Sequence, residues 1–172
     1  MKAITLWQPW ATLKAIEAKR FETRSWKTDY RGPIAIHAAK RPLDDDTYAL
    51  CWDEPFTSEL VKAGAMGLLE DGPVLLPGGL PYGAIVAVGF LAMVYFIHKG
   101  RMLSLYPDGT VIAGAEFHLP GEPERSFGDF SQGRYAWEIV DTKALEKPIP
   151  CRGYQQLWDV SEDVRVKLAE VT

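Results

Sequence analysis

Lys19, Glu22 and Arg24 stand in the segment EAKRFETRSW, Glu17 to Trp26, with Arg20 among them and Phe21 and Trp26 alongside. An ammonium, a carboxylate and a guanidinium so close together could hold a flat, polar ligand. Arg24 offers a planar fork suited to a phosphate or a base edge. Lys19 offers a compact positive charge. Glu22 can accept from an exocyclic amine such as that of cytosine, or it can hold Lys19 in position. Trp7, Trp10 and Trp26 lie close by in sequence, and indole faces stack on bases at ~1–3 kcal/mol each. A plainer reading uses the same residues. Lys19 and Glu22 would form a surface pair, Arg24 would brace the sheet and Trp10 would be core.

The elements that must position these groups can be read from periodicity. KAITL alternates, which places a first strand at about Lys2–Trp7. Pro9 suits the first turn of a helix, and WATLKAIEAK carries Trp10, Leu13 and Ile16 along one side, with Lys14, Glu17 and Lys19 mostly elsewhere. On this reading Lys19 ends the helix. RFETRSW then reads as a strand, with Phe21, Thr23 and Ser25 on one face and Arg20, Glu22, Arg24 and Trp26 on the other. DYRGP is a turn and IAIHAA a third strand.

Residues 42–82 differ in character. LDDDTYALCWDEPFTSELVKAG reads as two short helices broken at Pro55, and MGLLEDGPVLLPGGLPYG as an ordered Gly- and Pro-rich loop. AIVAVGFLAMVYFI, Ala84 to Ile97, is too short for a membrane helix and reads as one or two buried strands. Residues 100–133 read as a weak strand, a loop and an insertion, and RYAWEIVDTKAL as a strand ending in a turn. IPCRGYQQLWDV is extended or loop, and SEDVRVKLAEV a final helix capped by Ser161. The expected class is α+β: a small mixed β-barrel with packed helices, in a single domain over 1–172 with 42–82 as a helical and loop insertion.

Charge and composition narrow the function. The net charge is −4, yet Met1 to Arg41 holds nine basic side chains against three acidic ones, a net of +6 that leaves −10 for the rest. A basic first part on an acidic body can steer an anion to one face. Cys51 and Cys151 are too few for a disulfide framework and fit a reducing, cytoplasmic compartment. MKAITLWQPW has no apolar run typical of a signal peptide. His37, His98 and His118 are dispersed and no cysteine joins them at a metal-ligand spacing, so neither a metal nor a cofactor is expected. His37 reads as a buried histidine facing a polar layer. Glu138 in AWEIV reads as an ordinary strand residue or as a second carboxylate near the site. The glycine pair Gly78 and Gly79 lacks the lysine and helix of a phosphate loop.

Three collinear pieces resemble the ASCH domain family, whose fold is PUA-like. ITLWQPWATLKAIEAKRFETRSW matches the family signature G-x-K-x-x-E-x-R at Lys19, Glu22 and Arg24, with Glu17 in place of the glycine. YRGPIAIHAAK supplies the next strand, and GRYAWEIVD with KPIPCRGYQQLWDV the C-terminal pair. The resemblance covers about residues 1–41 and 83–160. It implies a cleft between the first helix and the barrel that binds single-stranded RNA or a modified nucleotide or nucleoside. Lys19, Glu22, Arg24, Trp7, Trp10 and Trp26 would line it, with Arg152 and Tyr154 on the rim. It also implies two enzymatic alternatives. ASCH-like proteins include an amidohydrolase acting on acetylated cytidine, in which a lysine, a threonine and a more distant carboxylate act. Here Glu22 occupies the threonine position, while Lys19 could still act as a base. Other members are linked to ribonuclease activity, for which Glu22 as base and Lys19 or Arg24 as electrostatic stabiliser would serve. A third alternative is a protein-interaction domain with a Trp-rich face.

Overall fold

The structure is a computed structural model that describes residues 1–171. Its first strand, β1, runs over Lys2–Leu6 and pairs in parallel with β3, Gly32–Ala38, so that Lys2 faces Ile34 and Thr5 faces His37. Between them in sequence come α1, Trp10–Ala15, and β2, Phe21–Arg24. Next follow α2, Asp45–Leu50, α3, Phe56–Lys62, and the strands β4, Met66–Leu69, and β5, Gly72–Leu75. Two long strands, β6, Ala84–His98, and β9, Tyr135–Pro150, flank β7, Arg101–Leu105, and β8, Val111–His118. A single 3-10 turn covers Glu124–Phe127. β10, Leu157–Asp159, and α4, Glu162–Val171, complete the chain. The class is mixed α+β with four helices, and eight strands share one hydrogen-bonded sheet. A closed barrel is not among the strand pairings of the described residues.

The chain divides into two compact units. The first takes residues 1–18, 34–88 and 142 onward, and the second takes 19–33 and 89–141. In the first unit β1 lies between β10 and β3. Ala3, Ala35, Ile85, Ile149, Val160, Val164 and Leu168 form one of its apolar clusters. Val164 and Leu168 are one helical turn apart, so α4 lays a single stripe on the sheet. α3 packs near α1, with Phe56 edge-on to Trp10 at 6.2 Å. In the second unit the end of β6 pairs with β7, β7 with β8, and β2 with the start of β9. Phe21, Tyr95, Ile97, Met102, Phe130 and Ala136 make its cluster.

Several sequence expectations are corrected. α1 stops at Ala15, not near Lys19, because Glu17 takes a left-handed conformation with φ of 61°. Lys14, expected on a polar side, is 1% exposed, since five of the six residues of α1 are buried. Residues 66–75, read as loop, form the β4–β5 hairpin, with Glu70 and Asp71 at the turn and Gly72 opening β5 at φ 119°. Ala84–Ile97, read as one or two strands, agrees with the first of these: β6 runs unbroken over Ala84–His98, through Gly89. Residues 101–118 form the β7–β8 pair, stronger structure than a weak strand and loop. Arg20 precedes β2 and reaches Glu138, whose β-pairing partner is Phe21, so it leaves the face shared by Glu22 and Arg24.

Candidate functional site

Helix α1 and the turn after it precede the candidate motif in the chain. The Gln8 side chain accepts hydrogen bonds from the Thr12 backbone N–H at 3.1 Å and its hydroxyl at 3.0 Å, and donates to the Pro81 carbonyl at 2.7 Å. Those bonds tie down the start of a helix that has no other side-chain cap. At its far end, Glu17 bears the left-handed turn that a glycine takes without strain. Its Oε1 accepts the Thr142 backbone N–H at 2.9 Å, which compensates part of the cost. A Cβ therefore replaces the motif glycine at an αL position, and its carboxylate is used to stabilise the fold.

In the second unit, Glu124 fixes the start of β2 by accepting the backbone N–H of Arg20 at 2.6 Å and of Phe21 at 2.9 Å. Lys19 then points inward, 1% exposed, and donates to the Phe21 carbonyl at 2.5 Å. Its Nζ lies 3.5 Å from Glu22 Oε2, and Arg24 Nε lies 3.0 Å from Glu22 Oε1. One carboxylate thus sits between two cations, a cluster of formal charge +1. Burial makes these charges interact more strongly than they would in water. The ammonium and the carboxylate are almost wholly enclosed, while the Arg24 side chain keeps 27% of its surface exposed. The three motif residues do converge, but Glu22 is spent on its two neighbours, and the most accessible of the three is Arg24.

The strand register adds a residue that sequence reasoning missed as part of this site. Glu22 faces Trp137 across β2 and β9, and Trp26 meets Trp137 edge-on at 4.5 Å. Trp137 is fully buried, and its Nε1 has no acceptor among the described residues. The alternation of AWEIV placed Trp137 on a face, but only the pairing of two distant strands shows that the face is that of Glu22. On the opposite face Glu138 is also buried. It accepts from the Tyr95 hydroxyl at 2.7 Å and pairs with Arg20. Burial first, and the Glu138 carboxylate second, push the Tyr95 phenol well above its usual range.

The remaining candidates lie in the first unit. Trp7 is 52% exposed and carries the Arg41 guanidinium 4.2 Å over its ring. Trp10 is half-buried against Phe56. Arg152 lies 5.3 Å from the ring centre of Tyr154, which is itself 5.4 Å from the Trp158 ring. Beneath this loop His37 is 1% exposed, and its Nε2 is 3.1 Å from the Cys151 carbonyl. A carbonyl can only accept, so Nε2 carries the proton and Nδ1 is left as an acceptor. Trp158 meets His37 edge-on at 5.7 Å and donates its indole N–H to the Thr5 hydroxyl at 3.2 Å. Desolvation lowers the His37 pKa, partly opposed by the bond to Cys151. A Cβ on Gly153 would collide with His37 Nδ1 and Cε1, so the backbone there lies directly on the imidazole.

Among the described residues no three His, Cys, Asp or Glu side chains gather as metal ligands. Among the described residues no helix is long and apolar enough to cross a membrane. No protein-family model matches the chain, and no curated protein matches it. Among solved structures it is similar to ASCH from Zymomonas mobilis, at 12% identity and a TM-score of 0.45, over 98% of this chain and 93% of that one. The Lys19, Glu22, Arg24 motif, and not that loose overlap, carries the resemblance to the ASCH family.

Proposed function

We propose that this protein binds RNA, or a nucleotide derived from it, through the face of β2 that presents Glu22 and Arg24, with Lys19 and Trp26 adjoining. The observation that carries this reading is the partly exposed Arg24 side chain, its Nε held 3.0 Å from Glu22 in a cluster of formal charge +1. A guanidinium oriented by a buried carboxylate is prepared to meet a phosphate without a further ordering cost. The first unit, taken by itself, carries two ring-and-cation pairs on which a base could lie, Trp7 under Arg41 and Tyr154 under Arg152, and Trp10 keeps part of its ring exposed. We read the sheet as PUA-like, with a barrel completed beyond the pairings given above, and residues 42–82 as an insertion within one domain. The two free cysteines fit a reducing, cytoplasmic setting.

A second reading, an enzyme on the same substrates, draws on the burial of Lys19 and Glu22, which is where acid–base groups are tuned. A fluorescence screen of nucleosides, nucleotides and short RNAs at two salt concentrations tests both, with Lys19→Ala beside the native protein. Binding that quenches tryptophan and is weakened by Lys19→Ala supports the site. Deacylation or strand cleavage that Glu22→Ala abolishes, with binding retained, moves the reading to the enzyme. Capture of protein partners undiminished by Arg24→Ala, with no RNA bound, rejects it.

A further inference from the structure

One face of the sheet in the second unit carries a line of side chains that the cluster at Glu22 does not explain. Alternation fixes its members. Arg24 on β2 faces Tyr135 on β9. The Tyr135 and Phe96 rings lie 5.3 Å apart, so Phe96 on β6 continues the same face. His98, two residues on, stacks on Phe96 with ring centres 6.0 Å apart and planes 16° apart. His98 then faces Arg101 on β7, and Arg101 faces His118 on β8.

The opposite face carries the cluster of Phe21, Tyr95, Ile97, Met102 and Ala136, while the line's own face runs on to the buried Trp137, Val94 and Leu105. The line from Arg24 to His118 is therefore outside that cluster. Its rings are half-buried, and Arg101 and His118 are exposed. Cross-strand aromatic pairs stabilise sheets, which accounts for Tyr135 against Phe96. Sheet pairing gives no reason for a histidine ring to extend the stack toward a cationic turn. That turn reads His98, Lys99, Gly100, Arg101. Among the described residues no carboxylate stands within ion-pair distance of Lys99 or Arg101. Glu116, opposite Leu103, shares the face, and Glu22 at its other end is flanked by Lys19 and Arg24.

We propose that this face is a track for single-stranded nucleic acid, with Arg24 and Arg101 on phosphates at its two ends and bases stacked between them on Tyr135, Phe96 and His98. The inference rests on the nucleic-acid reading above and extends it from one nucleotide position to a strand. Neighbouring strands are spaced by about 4.8 Å, so the path from β2 across β9 and β6 to β7 spans on the order of 14 Å. A sheet of that width with half-buried rings stacks about two or three bases. Paired bases already stack on one another and cannot lie flat on such rings, which selects an unpaired strand.

The test measures fluorescence anisotropy at low salt with single-stranded RNA of about ten nucleotides, DNA of the same sequence, a duplex RNA and a mononucleotide. The native protein is compared with Arg101→Ala, Phe96→Leu and Arg24→Ala, each first shown to keep a native melting profile. The single strand should bind at least about tenfold more tightly than the mononucleotide or the duplex, and Arg101→Ala and Phe96→Leu should each remove about fivefold or more of that. Equal binding of RNA and DNA assigns recognition to phosphate and stacking, while preference for one assigns it to the sugar. A single strand bound no better than the mononucleotide, or bound equally by Arg101→Ala and Phe96→Leu, overturns the track. In that case mononucleotide binding lost in Arg24→Ala leaves the nucleotide site standing. No binding of any probe removes both.

Discussion

The Glu22 carboxylate stands 3.0 Å from Arg24 Nε on one strand face, and its other oxygen is 3.5 Å from the buried ammonium of Lys19. Two cations therefore flank one acid. The arrangement orients Arg24 and at the same time consumes the carboxylate, so Glu22 acts on a ligand chiefly through the guanidinium it holds.

Removing that acid should cost stability before it affects anything else. Glu22→Ala removes the carboxylate 3.5 Å from the enclosed Lys19 ammonium, and breaking a buried pair from one side costs about 3 kcal/mol or more. Glu22→Gln keeps an acceptor and should lose less. Urea unfolding gives both values, and a loss below about 1 kcal/mol in Glu22→Ala would show that the cluster contributes little to the fold.

Glu17 separates backbone strain from side-chain bonding. Its φ of 61° is unfavourable for any residue with a Cβ, by about 1 kcal/mol, while its bond to the Thr142 N–H gives back a comparable amount. Glu17→Gly should be near neutral. Glu17→Ala keeps the strain and loses the bond, so it should be less stable than Glu17→Gly by about 1 kcal/mol. Equal stability of the two variants in chemical denaturation would refute the strain.

His37 should make stability depend on pH. Burial holds its folded pKa below the unfolded value of ~6.5. As pH falls through that value the unfolded chain takes up a proton that the folded protein refuses. The contribution is therefore complete above the unfolded pKa and is lost as pH falls toward the folded one, at up to about 1.4 kcal/mol per pH unit. Unfolding free energies between neutral and mildly acidic pH should show this slope, and His37→Gln should flatten it. A slope unchanged in His37→Gln assigns the effect to other groups.

Gly153 should be intolerant of any side chain. A Cβ there meets His37 and comes within 2.9 Å of the Thr5 hydroxyl, so Gly153→Ala must shift the loop bearing Arg152 and Tyr154. Overpacking of this kind costs about 1–3 kcal/mol. A melting temperature within error of the native protein would show that the loop yields freely.

Local pattern carried much of this in the sequence. β1, β2, β3 and α4 follow from alternation or a capped amphipathic stripe, and His37 was readable as a buried histidine because it interrupts an apolar strand. The β4–β5 hairpin was hidden because Gly72 and Pro73, which look like loop chemistry, lie within a strand. Lys14 was misplaced because a helical stripe predicts one buried side, whereas α1 is enclosed almost all round. Trp137 and the line from Tyr135 to Arg101 depend on which distant strands pair, and no spacing along the chain encodes that.

The central claim is that Arg24 meets a nucleic-acid phosphate. The most direct measurement is the dependence of single-stranded RNA affinity on salt concentration, taken for the native protein and for Arg24→Ala. If Arg24 neutralises one phosphate, the slope of log affinity against log salt should become shallower by about 0.7 in the variant. A parallel pair of lines, whatever their vertical offset, would contradict it.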